Sequence, residues 1–318
     1  MLDVLDARLV HQRTGRRRTI CAIVRVAGPG GVRSEETWYA KEYSSSKGAR
    51  SYRKQMAIRN AVRHGVSVPE PLGYSVEDRL LVMREVPCRS LEALLRDPAR
   101  DLSAVLDHAG EALNGLHELE TRMLPPDASG AFGAHGPREE SLVLRAAGAR
   151  VEGAPFEGTL RMRFQEALET TIVCLGSDPP SNPGLLHRDL HPAQVVPVER
   201  GIVLLDTDET AFGEPELDVG NLAAHLTLEA IRRSAGSDDG GVWAAALTSG
   251  YSRKRALQGK RLGLYTAAAL LRLASLERVA RADVSRLDWP RLANALVDAA
   301  QRELSAVTRT RPSYPSSL

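Results

Sequence analysis

The chain is 318 residues long, 43% hydrophobic but only 4% aromatic, and 42 basic against 40 acidic side chains leave a formal charge of +2. That length allows roughly two domains or lobes around a core of Ala, Leu, Val and Ile, and so small a charge gives no sign of a nucleic-acid partner. Cys21, Cys88 and Cys174 are too few and too scattered for a disulfide framework or a zinc site, no apolar run approaches the roughly 20 residues that span a bilayer, and MLDVLDARLV carries two Asp where a signal peptide would be basic. The expectation is a cytoplasmic protein without a membrane partner.

In chain order, Thr19 to Val26 (TICAIVRV) and Glu36 to Tyr43 (ETWYAKEY) are rich in β-branched and aromatic residues and predict strands. A turn-rich connection, AGPGGVRSEE, joins them. Its Gly28, Gly30 and Gly31 fall between the second and third strands, so they are read as an ordinary loop. The turn Thr14-Gly15-Arg16-Arg17-Arg18 is better placed to lie over an anion, because backbone N–H groups and guanidinium groups both favour one; solvated surface arginines are the competing reading. Gly48 to Val62 has helical periodicity, Val68-Pro69-Glu70-Pro71-Leu72-Gly73 breaks it, and Arg79 to Arg84 is another strand.

Beyond Ser90 the pattern is mainly helical: Leu91 to Leu95, Leu102 to Leu119, Leu160 to Leu175, Asp218 to Arg233, Gly263 to Arg281 and Pro290 to Val307. Between Thr121 and Gly158 lies a Gly-, Ala- and Pro-rich region, read as an insertion with a short helix near Glu139 to Ala147.

The most informative stretch runs from His187 to Asp206. It reads HRDLHPAQ, then Val195 to Val198, a turn at Glu199-Arg200-Gly201, and Ile202 to Leu205 before Asp206. Two apolar runs around a short Gly-containing connection predict a hairpin, which returns Asp206 to the neighbourhood of Asp189 and Gln194. Three oxygen ligands converging at a loop suit phosphoryl transfer, with one carboxylate to orient an acceptor hydroxyl and two groups to hold Mg²⁺ on nucleotide phosphates.

With HRDLHPAQVV followed by LLDTDETAFGEPELDVGNLAAHL, the chain resembles the aminoglycoside phosphotransferase and choline kinase-like family. That family typically shows H-G-D-x-H-x-x-N, a buried strand ending in Asp, then G-D-P and an Asp opening a helix. Here Gln194 stands where Asn is usual, as in some relatives, and its amide oxygen still suits a hard cation. Gly213-Glu214-Pro215 and Asp218 fill the later places. The resemblance implies an α+β, two-lobed protein kinase-like fold: an antiparallel N-terminal lobe with one helix over residues 1–83, and a larger helical lobe over 84–318 that holds the acceptor.

It also implies roles. Asp189 is the catalytic base, Gln194 and Asp206 bind the metal, and Lys41 contacts the nucleotide phosphates. The hinge backbone at Glu85 and Val86 meets the purine, with ATP expected and GTP open. His187, His191 and Asp218 support the loop, and Asp208 and Glu209 either bind acceptor or face solvent. One mismatch stands out. The helix that usually supplies a Glu partner for the lysine has no acidic residue between Ser44 and Pro69, and Lys54 or Gln55 occupies the place.

Three functions follow: a kinase of a small molecule such as a sugar or amino sugar, a Ser/Thr kinase acting on a peptide, or a pseudokinase that binds without turnover. The intact Asp189, Gln194 and Asp206 set puts catalysis first. The cation-rich stretch after Tyr251 predicts a basic wall at the acceptor site, which would favour neutral or anionic acceptors over polycations.

Overall fold

The computed structural model describes residues 2–13, 17–28, 32–62, 65–97, 100–125, 128, 130–233, 239–277 and 288–309. Strands β1 (Leu2–Arg13), β2 (Arg17–Ala27) and β3 (Arg33–Tyr43) form an antiparallel meander, followed by helix α1 (Lys47–Ala61) and a two-residue strand β4 (Val66–Ser67). Strands β5 (Pro71–Ser75) and β6 (Leu80–Arg84) complete the sheet in the order β1-β2-β3-β6-β5.

The predicted strands at β2, β3 and β6 are present, the first two longer than their β-branched cores suggest. Two corrections concern the edges. β1 exposes Leu2, Val4, Leu5, Leu9 and Val10, so no inward-outward alternation marks it in the sequence. At the opposite edge Pro71 opens β5 inside a stretch predicted as a breaker, and a proline at the first position of an edge strand removes no ladder bond.

The chain then becomes helical, with α2 (Leu91–Leu95), α3 (Ser103–His117), β7 (Gly133–His135), α4 (Pro137–Glu152), α5 (Gly158–Ser177) and β8 (Gly184–Leu186). The hairpin β9 (Val195–Val198) and β10 (Gly201–Leu204) follows, then β11 (Ala211–Gly213), α6 (Pro215–Arg233), α7 (Asp239–Ser252), α8 (Gly259–Ala274) and α9 (Trp289–Arg309). Two small sheets, β4-β10-β9 and β7-β11-β8, knit the loops around the hairpin. The segment expected to be an insertion is part of the core: β7 pairs with β11, and Leu144, Ala147 and Val151 of α4 are fully buried. The predicted helix over Gly263 to Arg281 starts earlier and stops at Ala274, and residues 278–281 lie outside the described ones. No described helix is long and apolar enough to cross a membrane.

The α+β, two-lobed kinase-like architecture is therefore the one expected, with one detail that positions the site. Ala57 and Ile58 of α1 do not pack only on the sheet; they join the cluster formed by α2, α3 and the hairpin, including Leu91, Leu106 and Ile202. The sheet keeps a small core of its own around Tyr43, Leu81 and Met83.

Candidate active site

The fully buried strand β8 delivers the chain to His187, which is itself buried and has Nε2 at 2.7 Å from the Leu205 carbonyl. The loop beyond it is held from beneath by α6. Asp218, buried in the first turn, accepts the backbone N–H of His187 at 2.6 Å and of Arg188 at 2.8 Å. Asn221, one turn on, donates to the Leu190 carbonyl at 2.7 Å. Asp218 also lies 3.1 Å from His117 Nε2, and His117 Nδ1 lies 2.8 Å from the Tyr251 hydroxyl. Burial alone would push the Asp218 carboxyl up, but His117 and the loop N–H groups hold it below the usual range. This clamp fixes Arg188 at φ +71°, a left-handed conformation, and leaves Asp189 exposed, its carboxylate engaged by no hydrogen bond or ion pair among the described residues.

The hairpin is where predicted and brings Gln194 beside Asp206, since the Leu205 N–H donates to the Gln194 carbonyl at 2.9 Å. Its turn needs glycine: Gly201 has φ +139°, and a Cβ there would sit 1.7 Å from the Gly65 carbonyl oxygen. The Gln194 amide nitrogen is 3.4 Å from His191 Nε2, and burial pulls the His191 pKa down, favouring the neutral ring. Asp206, with φ 55° and ψ 61°, turns the chain out of β10.

Two cations from the sheet meet Asp206. Lys41 Nζ donates to Oδ1 at 3.0 Å, while the Arg17 guanidinium forks the same carboxylate at 2.7 and 3.2 Å and reaches Asp208 at 3.0 Å. Burial pushes the Asp206 carboxyl up, and Lys41 and Arg17 together outweigh it and hold the group far below the carboxylate range. The Tyr43 hydroxyl donates to Asp208 at 3.0 Å. Lys54, one of the two residues at the place of the missing helix Glu, carries the opposite charge. The buried ammonium donates to the backbone carbonyls of Asp208 at 2.9 Å and Thr210 at 2.7 Å, so α1 grips the loop after Asp206 without touching Lys41's charge. The neighbouring Gln55 donates to the Pro69 carbonyl at 2.8 Å. Burial pulls Lys54 down to about 8.

Two cavities, each of about 480 Å³, meet at this point. One is lined by Lys41, Gln194 and Asp206 together with Glu85 and Val86 of the hinge. The other holds Asp189 with Ser44 and Ser45 ahead of α1, Lys47 at its start, and Asp208 and Glu209. Arg17 and Asp206 line both. The Thr37 carbonyl takes the Glu85 N–H at 3.0 Å, so the hinge can offer the first cavity the Glu85 carbonyl and the Val86 N–H. Asp206 and the Gln194 amide are hard oxygen donors on one wall of that cavity. They fit a Mg²⁺ ion, which takes few protein ligands and completes its shell with phosphates and water.

Arg17 and Arg18 diverge. Arg18 pairs with Glu42 on the exposed sheet face, and residues 14–16 lie outside the described ones. The Gly28 N–H closes an ordinary turn onto Val32 at 2.8 Å, while Gly30 and Gly31 are not among the described residues. Of the cations expected to form a basic wall, Arg253 pairs with Asp107 and Glu111, Lys260 with Asp178, and Arg261 is buried against Glu214, so these three do not line the cavity of Asp189, while Arg278, Arg281, Arg286 and Arg311 lie outside the described residues. Sequence reasoning missed His117, Tyr251 and the grip of Lys54; only the buried apolar context of these polar groups could have signalled them.

A family model described as the phosphotransferase enzyme family matches residues 23–261. Solved structures share the fold at low identity. One is the GDP and kanamycin complex of APH(2")-IIia, 15% identical over 94% of each chain with TM-score 0.60. Another is an aminoglycoside phosphotransferase APH(4)-Ia in ternary complex with ADP and hygromycin B, 16% identical over 94% of each chain with TM-score 0.59. A choline/ethanolamine kinase family protein from Mesorhizobium loti is 14% identical, covering 96% of this chain and 92% of its own, with TM-score 0.59. No curated protein sequence matches. With its exposed aspartate, its hairpin and three quarters of its length inside one family match, the chain belongs to the phosphotransferase enzyme family and is a phosphotransferase acting on hydroxyl groups.

Proposed function

We propose that the enzyme transfers the γ-phosphoryl group of ATP to a hydroxyl of a small polyhydroxylated molecule, a sugar or amino sugar, with Mg²⁺ held by Asp206 and Gln194. The observation that carries this reading is the meeting of two cavities at Asp206, one walled by the hinge and Lys41, the other by the free carboxylate of Asp189. A site of about 480 Å³ is of small-molecule size. Its lining of hydroxyls and carboxylates favours a hydroxyl-rich acceptor over an apolar one.

In this reading the purine lies against the Glu85 carbonyl and the Val86 N–H, and Lys41 moves from Asp206 to the phosphates. Asp189 orients the acceptor hydroxyl and takes its proton as the new O–P bond forms and the bond to the β-phosphate oxygen breaks. Mg²⁺, when bound, offsets charge on the phosphates. His187, His191 and Asp218 position Asp189 and touch no reactant. Free Cys21, Cys88 and Cys174 accord with a reducing cytoplasm.

The test is nucleotide turnover, with ATP and GTP, against a panel of sugars, amino sugars, aminoglycosides and hydroxyl-bearing peptides. Saturable phosphorylation of a sugar or amino sugar is the expected outcome. Turnover with peptides alone would overturn the acceptor class, and nucleotide binding without any transfer would establish a pseudokinase.

A further inference from the structure

Arg17 has no role in the scheme above, yet its position is unusual. It opens β2 and faces Tyr43 across the strand pair. Its guanidinium is 30% exposed, reaches both oxygens of Asp206 and one of Asp208, and stands at the boundary of both cavities. A group moving from a nucleotide in the first cavity to an acceptor beside Asp189 in the second must pass that boundary.

The charges there balance in pairs. Asp206 and Asp208 oppose Arg17 and Lys41, so these four charges offset one another at the boundary. The guanidinium fork and the ammonium take three of the Asp206 carboxylate's roughly four acceptor positions, so they compete with a divalent cation for it. A cation held by Asp206 repels the guanidinium and favours its release. The anions then nearest to hand are phosphate oxygens, which match the planar fork as well as a carboxylate does.

On the phosphotransferase reading of these two cavities, we propose that Arg17 is a catalytic residue: it exchanges its bond to Asp206 for the γ-phosphoryl group and neutralises that group while it is transferred. The guanidinium forms and breaks no covalent bond. The acceptor oxygen bonds to phosphorus, the bond to the β-phosphate oxygen breaks, the hydroxyl proton goes to Asp189, and the nucleoside diphosphate leaves. Arg17 donates N–H bonds to the oxygens that stay on phosphorus. An arginine supplied in this way accelerates phosphoryl transfer by roughly 10³-fold or more.

Arg17→Met and Arg17→Lys test the assignment through the affinities of ATP and ADP, measured with Mg²⁺ by calorimetry, and through turnover with the best acceptor. Arg17→Met should weaken ATP about tenfold, leave ADP within twofold, and lower kcat by roughly 10²-fold or more. Removing the competing fork should also lower the Mg²⁺ concentration that half-saturates ADP binding. Arg17→Lys, which keeps the charge and loses the fork, should fall between parent and Arg17→Met. Equal loss of ATP and ADP affinity, or a lowered melting temperature with the ATP-to-ADP ratio and kcat unchanged, makes Arg17 a structural latch and overturns the proposal. If the parent binds neither ATP nor GTP, the nucleotide reading falls and this inference with it. If the parent turns over and Asp189→Asn abolishes transfer while Arg17→Met behaves as the parent, only this inference falls.

Discussion

Replacing Lys54 by Met removes the donor to two backbone carbonyls, those of Asp208 and Thr210, and the size of the effect should depend on pH. A buried acceptor left without a partner costs about 1–3 kcal/mol, so two cost about 4 kcal/mol in all. Against this, the native site buries an ammonium whose pKa falls from 10.5 to about 8, a penalty on the charged form of about 3 kcal/mol. At pH 7 the variant is relieved of that penalty, and the net loss should be only about 1 kcal/mol. The unfolded chain keeps the Lys54 proton up to about 10.5 while the folded protein releases it near 8. Between these values the unfolded state binds more protons, so native stability rises with pH relative to the variant. By pH 10 the folded amine is neutral and still donates, most of the rise between about 8 and 10.5 is complete, and the loss should approach about 4 kcal/mol. Urea unfolding of both proteins at pH 7 and 10, followed by tryptophan fluorescence, reads the difference directly. A difference that shrinks in alkali would mean that Lys54 is held by carboxylates and not by carbonyls, and would refute the reasoning. Lys54→Glu should be worse than Met at every pH, because a carboxylate there faces two carbonyls.

Asp189→Asn should bind ATP as the parent does and lose roughly 10²- to 10⁴-fold in transfer, measured by single turnover; near-normal transfer removes Asp189 from the mechanism. Asp206→Ala should abolish Mg²⁺-dependent nucleotide binding more completely than Gln194→Ala, because a charged ligand is lost and not a neutral one, and calorimetry with and without Mg²⁺ separates them. Lys41→Met should raise the Kd for ATP, and an unchanged Kd would make this lysine a partner of Asp206 alone. Arg188→Gly keeps the backbone bonds to Asp218 and sheds the strain of φ +71°, so it should unfold within about 1 kcal/mol of the parent, whereas Arg188→Val should be less stable than the glycine variant by about 1–3 kcal/mol in the same urea titration.

The hairpin from Val195 to Leu204 was legible because its strands are short, apolar and joined by a turn that only glycine can close. The helices that carry a polar face were legible from their spacing. Helix α7 was not: Gly240, Gly241 and Gly250 suggest a break, but here glycine lets two helices touch. A Cβ on Gly250 would lie 1.7 Å from the Asp107 carbonyl oxygen, and one on Gly110 would lie 2.0 Å from that of Leu247. Contact across 140 residues leaves no local mark. The order of His187, Asp189, Gln194 and Asp206 could be read from spacing, since loop and hairpin are contiguous. The cations that surround Asp206 could not, because Arg17 and Asp206 are 189 residues apart and meet only once the sheet folds over the hairpin.

That arrangement divides the small lobe between two kinds of attachment. The helix α1 is fastened to the large lobe by apolar packing through Ala57 and Ile58, and by the carbonyl bonds of Lys54, none of which depends on a ligand. The strand β4 pairs with β10, and the sheet itself reaches the same lobe through the Tyr43 bond to Asp208 and through the ion pairs of Arg17 and Lys41 with Asp206, which a nucleotide can exchange for its own phosphates. An outward swing of this helix would strip Ala57 and Ile58 from that core and break the carbonyl bonds of Lys54, so exchange of ligands at Asp206 is expected to loosen the strands at the cleft before it loosens the helix.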